Sequence, residues 1–387
     1  RKQPKMLWKD CRFQIAHCKL KSLRLKYLNL QFEIKGDMTS NPLIIPIFLS
    51  NLGCRERCLF CNQKAAAEGL PSPSSVRNFI EASLAVILHD KKDREKQIAF
   101  YGGSFTAIHR DDQVRYLREI QPFLASGLID SIRISTRPDA LDDETLSLLT
   151  EYGVKTIELG VQSMIDEVLL LANRGHSAKD TVDAVFRLKR GNFEVGLQLM
   201  IGLPGDTCDR FLQTIDQVME LKPDFVRIHP ALVLKGAPLE ILWRNGEYFP
   251  LSLEEAVQWL KKGILKLENS SLSIARIGLQ PTSELQRDFL AGPYHPALHQ
   301  LVDSAIFFDM ASSLLHGAQK NGQALFLCHP KELSNLRGQK NENILRLKKD
   351  FNLSEISIDE KQELPRGTLT LQTQGAEVSL HRKSLVL

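Results

Sequence analysis

The 387-residue chain has few cysteines and no apolar run long enough to span a bilayer. Its seven cysteines are too sparse, and odd in number, for a disulfide-rich secreted scaffold, so we expect a reducing, cytoplasmic setting. Net charge is also low, at +4. Residues 1–37 carry ten Lys and Arg against three acids, which is +7 and leaves −3 for residues 38–387. Overall charge therefore does not argue for a nucleic-acid partner.

Residues 1–37 form a basic leader that begins at Arg1 and ends just before Met38. Because the first apolar strand pattern follows Met38, we interpret Met38 as the natural start and the leader as upstream translation. A basic arm that binds nucleic acid is the functional alternative. A targeting presequence is a third interpretation, although an apolar segment followed by a small-residue cleavage site is absent.

The feature that carries chemistry is the segment GCRERCLFCNQ, in which Cys54, Cys58 and Cys61 have the spacing C-x3-C-x2-C. Three thiolates are one short of the four that a [4Fe–4S] cubane normally takes, so a cluster here has one iron open to another ligand. A structural zinc site is the main alternative, but it needs four ligands and only Cys208 or Cys328 is a candidate fourth. A redox pair of Cys58 and Cys61 leaves Cys54 unexplained.

Apolar, β-branched runs alternate with helical patterns between residues 43 and 279. This alternation predicts right-handed βαβ units around a parallel sheet. Six or seven units favour an α/β fold built on a partial, TIM-like (β/α)6 barrel over a complete eight-fold one. The predicted strands are 43–49, 97–103, 131–136, 155–163, 194–204, 224–232 and 273–279, and the predicted helices are 75–89, 112–124, 142–152, 177–190, 207–221 and 253–268.

A different pattern follows residue 285 and predicts a small α+β unit. We expect a helix from about residue 296, a strand at 324–330, a helix at 341–351, a strand at 355–359 and a hairpin at 368–382. The predicted domains are therefore the leader (1–37), a core (38–285) and a C-terminal α+β cap (286–387). We expect the cap to shield the barrel mouth from solvent.

The cysteine motif, with Phe60 just before its last cysteine, resembles the signature of the radical S-adenosylmethionine (SAM) superfamily. The resemblance covers roughly Pro46 to Leu279 and is strongest to the branch of Elp3-like proteins and oxygen-independent coproporphyrinogen oxidase. Its other runs are FYGGSFTA, STRPDAL, GVQSM, NRGH, LMIGLPGDT, PDFVRIHPALVLKGAPL and GEYFPLSLEEAV. Full Elp3 proteins also carry an acetyltransferase domain, and nothing after residue 280 resembles it.

The resemblance implies an enzyme with a [4Fe–4S] cluster on Cys54, Cys58 and Cys61 and SAM on the open iron. Reductive cleavage of SAM then gives methionine and a 5′-deoxyadenosyl radical, which abstracts a hydrogen atom from the substrate. Such an oxygen-sensitive enzyme needs a reductant such as flavodoxin or ferredoxin. The resemblance favours a tRNA nucleoside as substrate. A small molecule such as a tetrapyrrole, or a non-catalytic Fe–S or zinc protein that binds RNA, are the alternatives.

The resemblance also assigns residues to the SAM pocket, and most of them lie at or near the ends of predicted strands. Paired glycines let a backbone approach a ligand, although a plain tight turn is the alternative. For Ser135 and Arg137, the structural alternative is a strand end that Pro138 terminates. An arginine suits a carboxylate because it offers a bidentate fork. The assigned residues are Phe60, Gly102, Gly103, Ser135, Arg137, Gln162, Arg174 and Gln198.

Two histidines are candidate catalytic residues. His229 lies at the end of a predicted strand in RIHP, where side chains of such barrels contact substrate. His295 lies between Gly292 and Pro296, and a helix-entry residue without a chemical role is the alternative interpretation.

Overall fold

A computed structural model describes residues 42–54, 57–62, 71–87, 94–270, 272–317, 322–373 and 376–385. The basic leader and Met38 lie outside the described residues, so the hypotheses about them stay predictions. None of the helices in the described ranges combines the length and the apolar character needed to cross a membrane.

A seven-stranded, open parallel sheet forms the centre of the fold, and its strands stand side by side in chain order. Every neighbouring pair is parallel. This arrangement confirms the α/β class and the partial barrel expected from the sequence, and the sheet has the seven strands whose bounds were predicted. The strands are β1 (Leu43–Phe48), β2 (Lys96–Tyr101), β3 (Ser131–Thr136), β4 (Val154–Gln162), β5 (Glu194–Ile201), β6 (Phe225–Pro230) and β8 (Ser273–Ile277), while β7 (Val233–Leu234) lies outside this sheet.

Helices occupy each connection between these strands. Side-chain oxygens of Asp142, Ser177, Thr207 and Ser252 accept a backbone N–H from the first turn of their helices, which is why those helices begin where they do. The helices are α1 (Pro73–Ile87), α2 (Arg110–Ala125), α3 (Asp143–Glu151), α4 (Asp166–Leu171), α5 (Ala178–Arg190), α6 (Cys208–Leu221), α7 (Pro238–Arg244) and α8 (Leu253–Asn269).

The two faces of the sheet differ in chemistry because successive side chains of a strand point to opposite sides. Ile98, Phe100, Ile132 and Ile134 are at most 1% exposed and belong to the main hydrophobic core. The residues between them, such as Arg133, point the other way, into the lumen of the partial barrel. The sheet therefore presents an apolar face to its helices and a polar face to the lumen.

A small second sheet lies beside the carboxyl end of β6. It pairs β7 antiparallel with β9 (Phe289–Ala291), which follows the short helix α9 (Ser283–Asp288). The elements β7, β9 and α9 were not predicted from the sequence. Segments of two to six residues are too short to show a periodicity.

The C-terminal part forms a four-stranded mixed sheet and three helices. Helix α10 (Leu298–His316) packs against α8 on one side and against two strands of this sheet on the other. The hairpin expected at 368–382 is present, with residues 374 and 375 outside the described ranges. The domain boundary at 285 and a cap over the barrel mouth stay predictions. The remaining elements are β10 (Gln323–Cys328), α11 (Leu333–Arg337), α12 (Glu342–Asp350), β11 (Glu355–Glu360), β12 (Thr368–Thr373) and β13 (Ala376–His381), in the sheet order β11-β10-β12-β13.

Candidate functional site

The cysteine loop follows β1 and is held against the loop that follows β2. The backbone N–H of Asn51 donates to the carbonyl of Gly102 at 2.7 Å, and that of Ser104 donates to Leu52 at 2.8 Å. These bonds continue the pairing of β1 with β2 beyond the ends of both strands. The two loops therefore leave the sheet together, at its carboxyl edge.

Glycines make this close packing possible. A Cβ on Gly103 would lie 2.5 Å from the carbonyl oxygens of Leu49 and Leu52, and a Cβ on Gly53 would lie 2.2 Å from the carbonyl of Ser104. No real Cβ tolerates backbone atoms at these distances. Gly102 in addition has a φ of +86°, which favours glycine. The glycine pair thus has a packing role here, and its predicted contact with SAM stays a prediction.

The three cysteines of the motif lie close enough to influence one another electrostatically. Cys58 is buried, and Cys61 is half-buried with its thiol donating to Oδ1 of Asn51 at 3.3 Å. Burial, with added repulsion from Cys58 and Cys54, raises the pKa of Cys61 to about 11. Burial and then Cys58 also raise the pKa of Cys54. The protein without metal therefore keeps these two thiols protonated at neutral pH.

Arg174 brings positive charge to the same place. Its Nη1 donates to the sulfur of Cys58 at 3.0 Å and its Nη2 donates to the carbonyl of Gly160 at 2.5 Å. The guanidinium carbon lies 5.9 Å from the centre of the Phe60 ring. The side chain is 8% exposed, and its charge opposes the rise in the pKa of Cys61.

Backbone contacts fix Arg174 against the cysteine loop. The N–H of Leu59 donates to the carbonyl of Ala172 at 3.1 Å, and the side chain of Asn173 donates to the carbonyl of Arg57 at 2.9 Å. Asn173 has a φ of +52°, which turns the chain after α4 toward the loop. Hydrogen bonds therefore join residues that are far apart in sequence at this point.

The donor set fits a [4Fe–4S] cluster with one open iron, because it supplies three thiols beside a buried guanidinium. Within the described ranges, no group of three or more His, Cys, Asp or Glu side chains is arranged to hold a metal ion. Two buried polar atoms nearby, Ser135 Oγ and Arg174 Nε, have no hydrogen-bond partner among the described residues. Such orphaned atoms are expected where a ligand completes the site.

The other predicted SAM residues divide into two groups. Gln162 ends β4 with a φ of +69°. Its amide lies beside the guanidinium of Arg174, since a Cβ on Gly160 would lie 3.1 Å from Nε2 of Gln162 and 3.3 Å from Nη2 of Arg174. Arg137 instead forms a bidentate ion pair with Asp139 and donates to the carbonyl of Arg174 at 3.1 Å.

Gln198 belongs to a buried network deeper in the lumen, centred on Glu158. The Glu158 carboxylate accepts from Tyr101 at 2.9 Å, from Arg133 at 2.8 Å and from Gln198 at 3.2 Å, and lies 2.9 Å from Nε of Arg227. Burial opposes ionisation, but Arg227 and Arg133 lower the pKa of Glu158 and keep it charged. Each residue comes from a different strand of β2 to β6.

Apart from Gln198, the residues of this network were not predicted from the sequence. A signal for it was present, because Ser131, Arg133 and Ser135 alternate with apolar residues in a strand that should be apolar on both faces. The same alternation recurs in the three strands that follow, at Thr156, Glu158, Gly160 and Gln162, at Glu194, Gly196 and Gln198, and at Arg227 and His229. Polar residues at a period of two in parallel strands predict a polar lumen.

The two candidate catalytic histidines lie in different settings. His229, on the lumen side of β6, has a buried Nε2 with no hydrogen-bond partner among the described residues. Burial, then the charges of Arg227 and Arg276, lower its pKa to about 4. His295 accepts the N–H of Ala297 at the start of α10 and lies 3.4 Å from the amide of Gln339. Catalytic roles for both stay predictions, and His295 also has a local structural role.

Comparison with known proteins identifies a family. A family model described as the radical SAM superfamily matches residues 50–218, and a second, for a radical SAM C-terminal domain, matches residues 223–307. An uncharacterized protein of Methanocaldococcus jannaschii is 31% identical over 242 residues, which are 57% of this chain and 71% of that protein.

Proteins of known name match a smaller part. The tRNA uridine(34) acetyltransferase of Methanocaldococcus infernus is 36% identical over 128 residues, which are 32% of this chain and 24% of that protein. The chain thus spans about a quarter of that relative's length. The solved structure of an archaeal Methanocaldococcus infernus Elp3 with an N-terminal deletion has a TM-score of 0.56 and 24% identity, over 69% of this chain and 63% of that one. That likeness supports the fold.

Replacing Gly103 by alanine tests the packing of the cysteine loop. The new Cβ would meet two backbone carbonyls, so the loop must shift or the protein must lose about 1–3 kcal/mol of stability. We expect Gly103→Ala to lower the melting temperature by several degrees. Gly317→Ala is the matched control, because a Cβ there meets nothing closer than 3.8 Å. Equal melting temperatures for the two variants would contradict this account of the loop.

The buried histidine gives a pH dependence whose sign is defined. The pKa of His229 is about 4 in the folded protein and about 6.5 when unfolded, so its contribution to stability is complete above pH 6.5 and is lost as the pH falls toward 4. We expect urea unfolding of His229→Gln to lose less free energy than wild type between pH 7 and pH 4.5, by on the order of 2–3 kcal/mol.

Two other histidines define the comparison. His176 has a pKa that burial and Arg174 likewise lower to about 4, so the variant keeps part of the acid sensitivity. His109 is exposed, and the free energy of unfolding of His109→Gln should depend on pH as it does in wild type. The expectation is wrong if His229→Gln and His109→Gln depend on pH in the same way.

Proposed function

This chain belongs to the radical SAM superfamily, and from that premise we propose that it cleaves SAM reductively with a [4Fe–4S] cluster and abstracts a hydrogen atom from its substrate. The observation that carries the proposal is the group of three thiols at the carboxyl end of β1, with Arg174 3.0 Å from the Cys58 sulfur. Cys54, Cys58 and Cys61 would hold the cluster and leave one iron open. When bound, the cluster supplies the electron that breaks a carbon–sulfur bond of SAM.

Arg174 has two roles in this proposal. Its charge opposes the burial that raises the pKa of Cys54 and of Cys61, and the thiolate is the form that binds iron. Its hydrogen bond to the sulfur of Cys58 adjusts the reduction potential, since donors to ligand sulfurs are one of the means by which a protein sets it. Arg137 is a positioning residue, because its guanidinium is paired with Asp139 and donates a hydrogen bond to the carbonyl of Arg174.

The proposed SAM pocket extends from the cysteine loop across β2, β3 and β4. Ser135 Oγ and Arg174 Nε are two of the buried atoms that have no hydrogen-bond partner among the described residues, and they are free to bind polar groups of SAM. Gln162 lies beside Arg174, and both side chains border the space next to Gly160, which has no side chain of its own. The remaining members are Phe60, Gly102 and Gly103, while Gln198 holds Glu158 at the floor of the lumen.

A tRNA nucleoside is the substrate that we propose. Support comes from the relatives named tRNA uridine(34) acetyltransferase, which match only over part of their length. The net charge of −3 on residues 38–387 gives no independent support for an RNA substrate. A small molecule such as a tetrapyrrole is therefore the second proposal. A flavodoxin or ferredoxin is the proposed electron donor. A non-catalytic Fe–S or zinc protein that binds RNA is the alternative from another class, and turnover of SAM separates it from both enzyme proposals.

The cleavage of SAM is tested with matched cysteine variants. We reconstitute the protein anaerobically with iron and sulfide, reduce it with dithionite, add SAM and measure 5′-deoxyadenosine by mass spectrometry. We expect wild type to form it, and Cys58→Ala to fall to background because the cluster loses one ligand. Cys208→Ala should match wild type, since Cys208 lies at the start of α6, outside the proposed site. Cluster formation without any 5′-deoxyadenosine, even with cell extract added as a source of substrate, would contradict an enzyme.

The class of substrate is tested by the salt dependence of binding. If tRNA binds, the affinity should fall at least about tenfold between ~50 and ~200 mM salt, because phosphate contacts release counterions. A chain that starts at Met38 is compared with the full chain to separate the charge of the leader from that of the core. A flat response, or no binding by the chain that starts at Met38, would favour a small-molecule substrate.

A further inference from the structure

Two arginines stand opposite each other inside the lumen. Arg227 on β6 and Arg276 on β8 are register partners in the parallel pair, and both lie on the face opposite to the hydrophobic core. Their neighbours Ile228 and Ile277 pack into that core. Like charges directly opposite on adjacent strands are destabilising unless something compensates them.

The compensation within the protein is incomplete. Glu158 lies 2.9 Å from Arg227, but it also pairs with Arg133 at 2.8 Å, and Arg133 is itself 3.8 Å from Glu194. Arg227 and Arg133 therefore pair with Glu158 and Glu194, and Arg276 adds a third positive charge to the lumen. The surplus positive charge lies at β8.

Arg276 is the guanidinium that lacks a carboxylate. It donates to neutral oxygens, the carbonyl of Gly278 at 3.2 Å and Oε1 of Gln280 at 3.5 Å. No carboxylate of the described ranges lies within ion-pair distance of it. Burial, then repulsion by the charge of Arg227, lower the pKa of Arg276.

His229 adds a polar atom to the same face. It lies two residues after Arg227 on β6, so its side chain points into the lumen on the same side. Its Nε2 is buried and has no partner among the described residues. A neutral imidazole donates one hydrogen bond and accepts one, and a buried nitrogen without a partner is costly unless a ligand meets it.

We propose that Arg276, Arg227 and His229 form an oxyanion subsite that holds a phosphate or carboxylate group of the substrate. This inference rests on the proposed function, since it assigns the lumen to a substrate. The subsite is distinct from the proposed SAM pocket, because that pocket lies on β1 to β4 and these residues lie on β6 and β8, toward the opposite edge of the sheet. An oxyanion there supplies the charge that Arg276 lacks, and a planar fork holds it in a defined orientation.

The test is the melting temperature of the reconstituted protein at constant pH and ionic strength, with chloride replaced by inorganic phosphate or by acetate. A ligand that binds only the folded state raises the melting temperature with its concentration. We expect such a rise for wild type and for the control Arg115→Gln. Arg115 is an exposed residue of α2, and its replacement removes the same positive charge as Arg276→Gln. Arg276→Gln should bind the anion at least about tenfold more weakly, because a charged hydrogen bond is lost.

The outcomes separate the sources of the anion and the two hypotheses. A response to phosphate alone indicates a phosphate group in the substrate, and a response to acetate alone indicates a carboxylate. No response in wild type, or the same response in Arg276→Gln, overturns the subsite. If Arg276→Gln does not fold, Arg276→Met keeps the apolar stem of the side chain and is measured in its place. The absence of a response in wild type overturns the subsite without any variant. A protein that responds to the anion but never cleaves SAM refutes the proposed function and leaves the subsite standing.

Discussion

The hydrogen bond between Arg174 and Cys58 is the contact on which the rest of the site depends. It joins the loop after β1 to the segment after α4, and the carbonyl of Gly160 holds the other end of the same guanidinium. A buried arginine beside a buried thiol is unfavourable unless the charge is used. The proposed iron–sulfur ligation would use that charge, because the ligand to iron is a thiolate.

The lumen below this contact is organised by a second electrostatic constraint. Glu158 is completely buried and stays ionised because two arginines and a tyrosine surround it. The strands from β2 to β6 are therefore tied together on their inner face by charge and on their outer face by apolar packing. This rigid, charged floor leaves polar groups unpaired nearer the mouth, where Ser135, Arg174 and His229 lie. Unpaired groups at the mouth of a rigid barrel are what a binding site requires.

The parts of this structure that depend on local pattern were predictable. The apolar runs became β1 to β6 and β8, and Ser177 begins α5 with the capping box that its sequence permits. The cysteine motif and the glycine pair were also readable, but the reason for Gly103 was not. Its close approach to Leu49 and Leu52 exists only once the two loops are packed together.

The partners of the charged residues were not predictable in the same way. Arg227 and Arg276 are opposite each other because of the register between β6 and β8, which includes an irregularity after Val226. A one-residue change of register reverses which face each side chain occupies, so a single sequence does not define such pairs. The polar alternation within β3 to β6 is nevertheless visible in the sequence, and it would have indicated a polar lumen without its contacts.

The most direct test of the central claim is electron paramagnetic resonance of the reduced, reconstituted protein with and without SAM. The account predicts the signal of one reduced [4Fe–4S] cluster per chain, and a change of that signal when SAM binds the open iron. It also predicts that Cys54→Ala, Cys58→Ala and Cys61→Ala each lose the signal. A protein that takes up zinc in place of a cluster, or a cluster signal that SAM leaves unchanged, would contradict it.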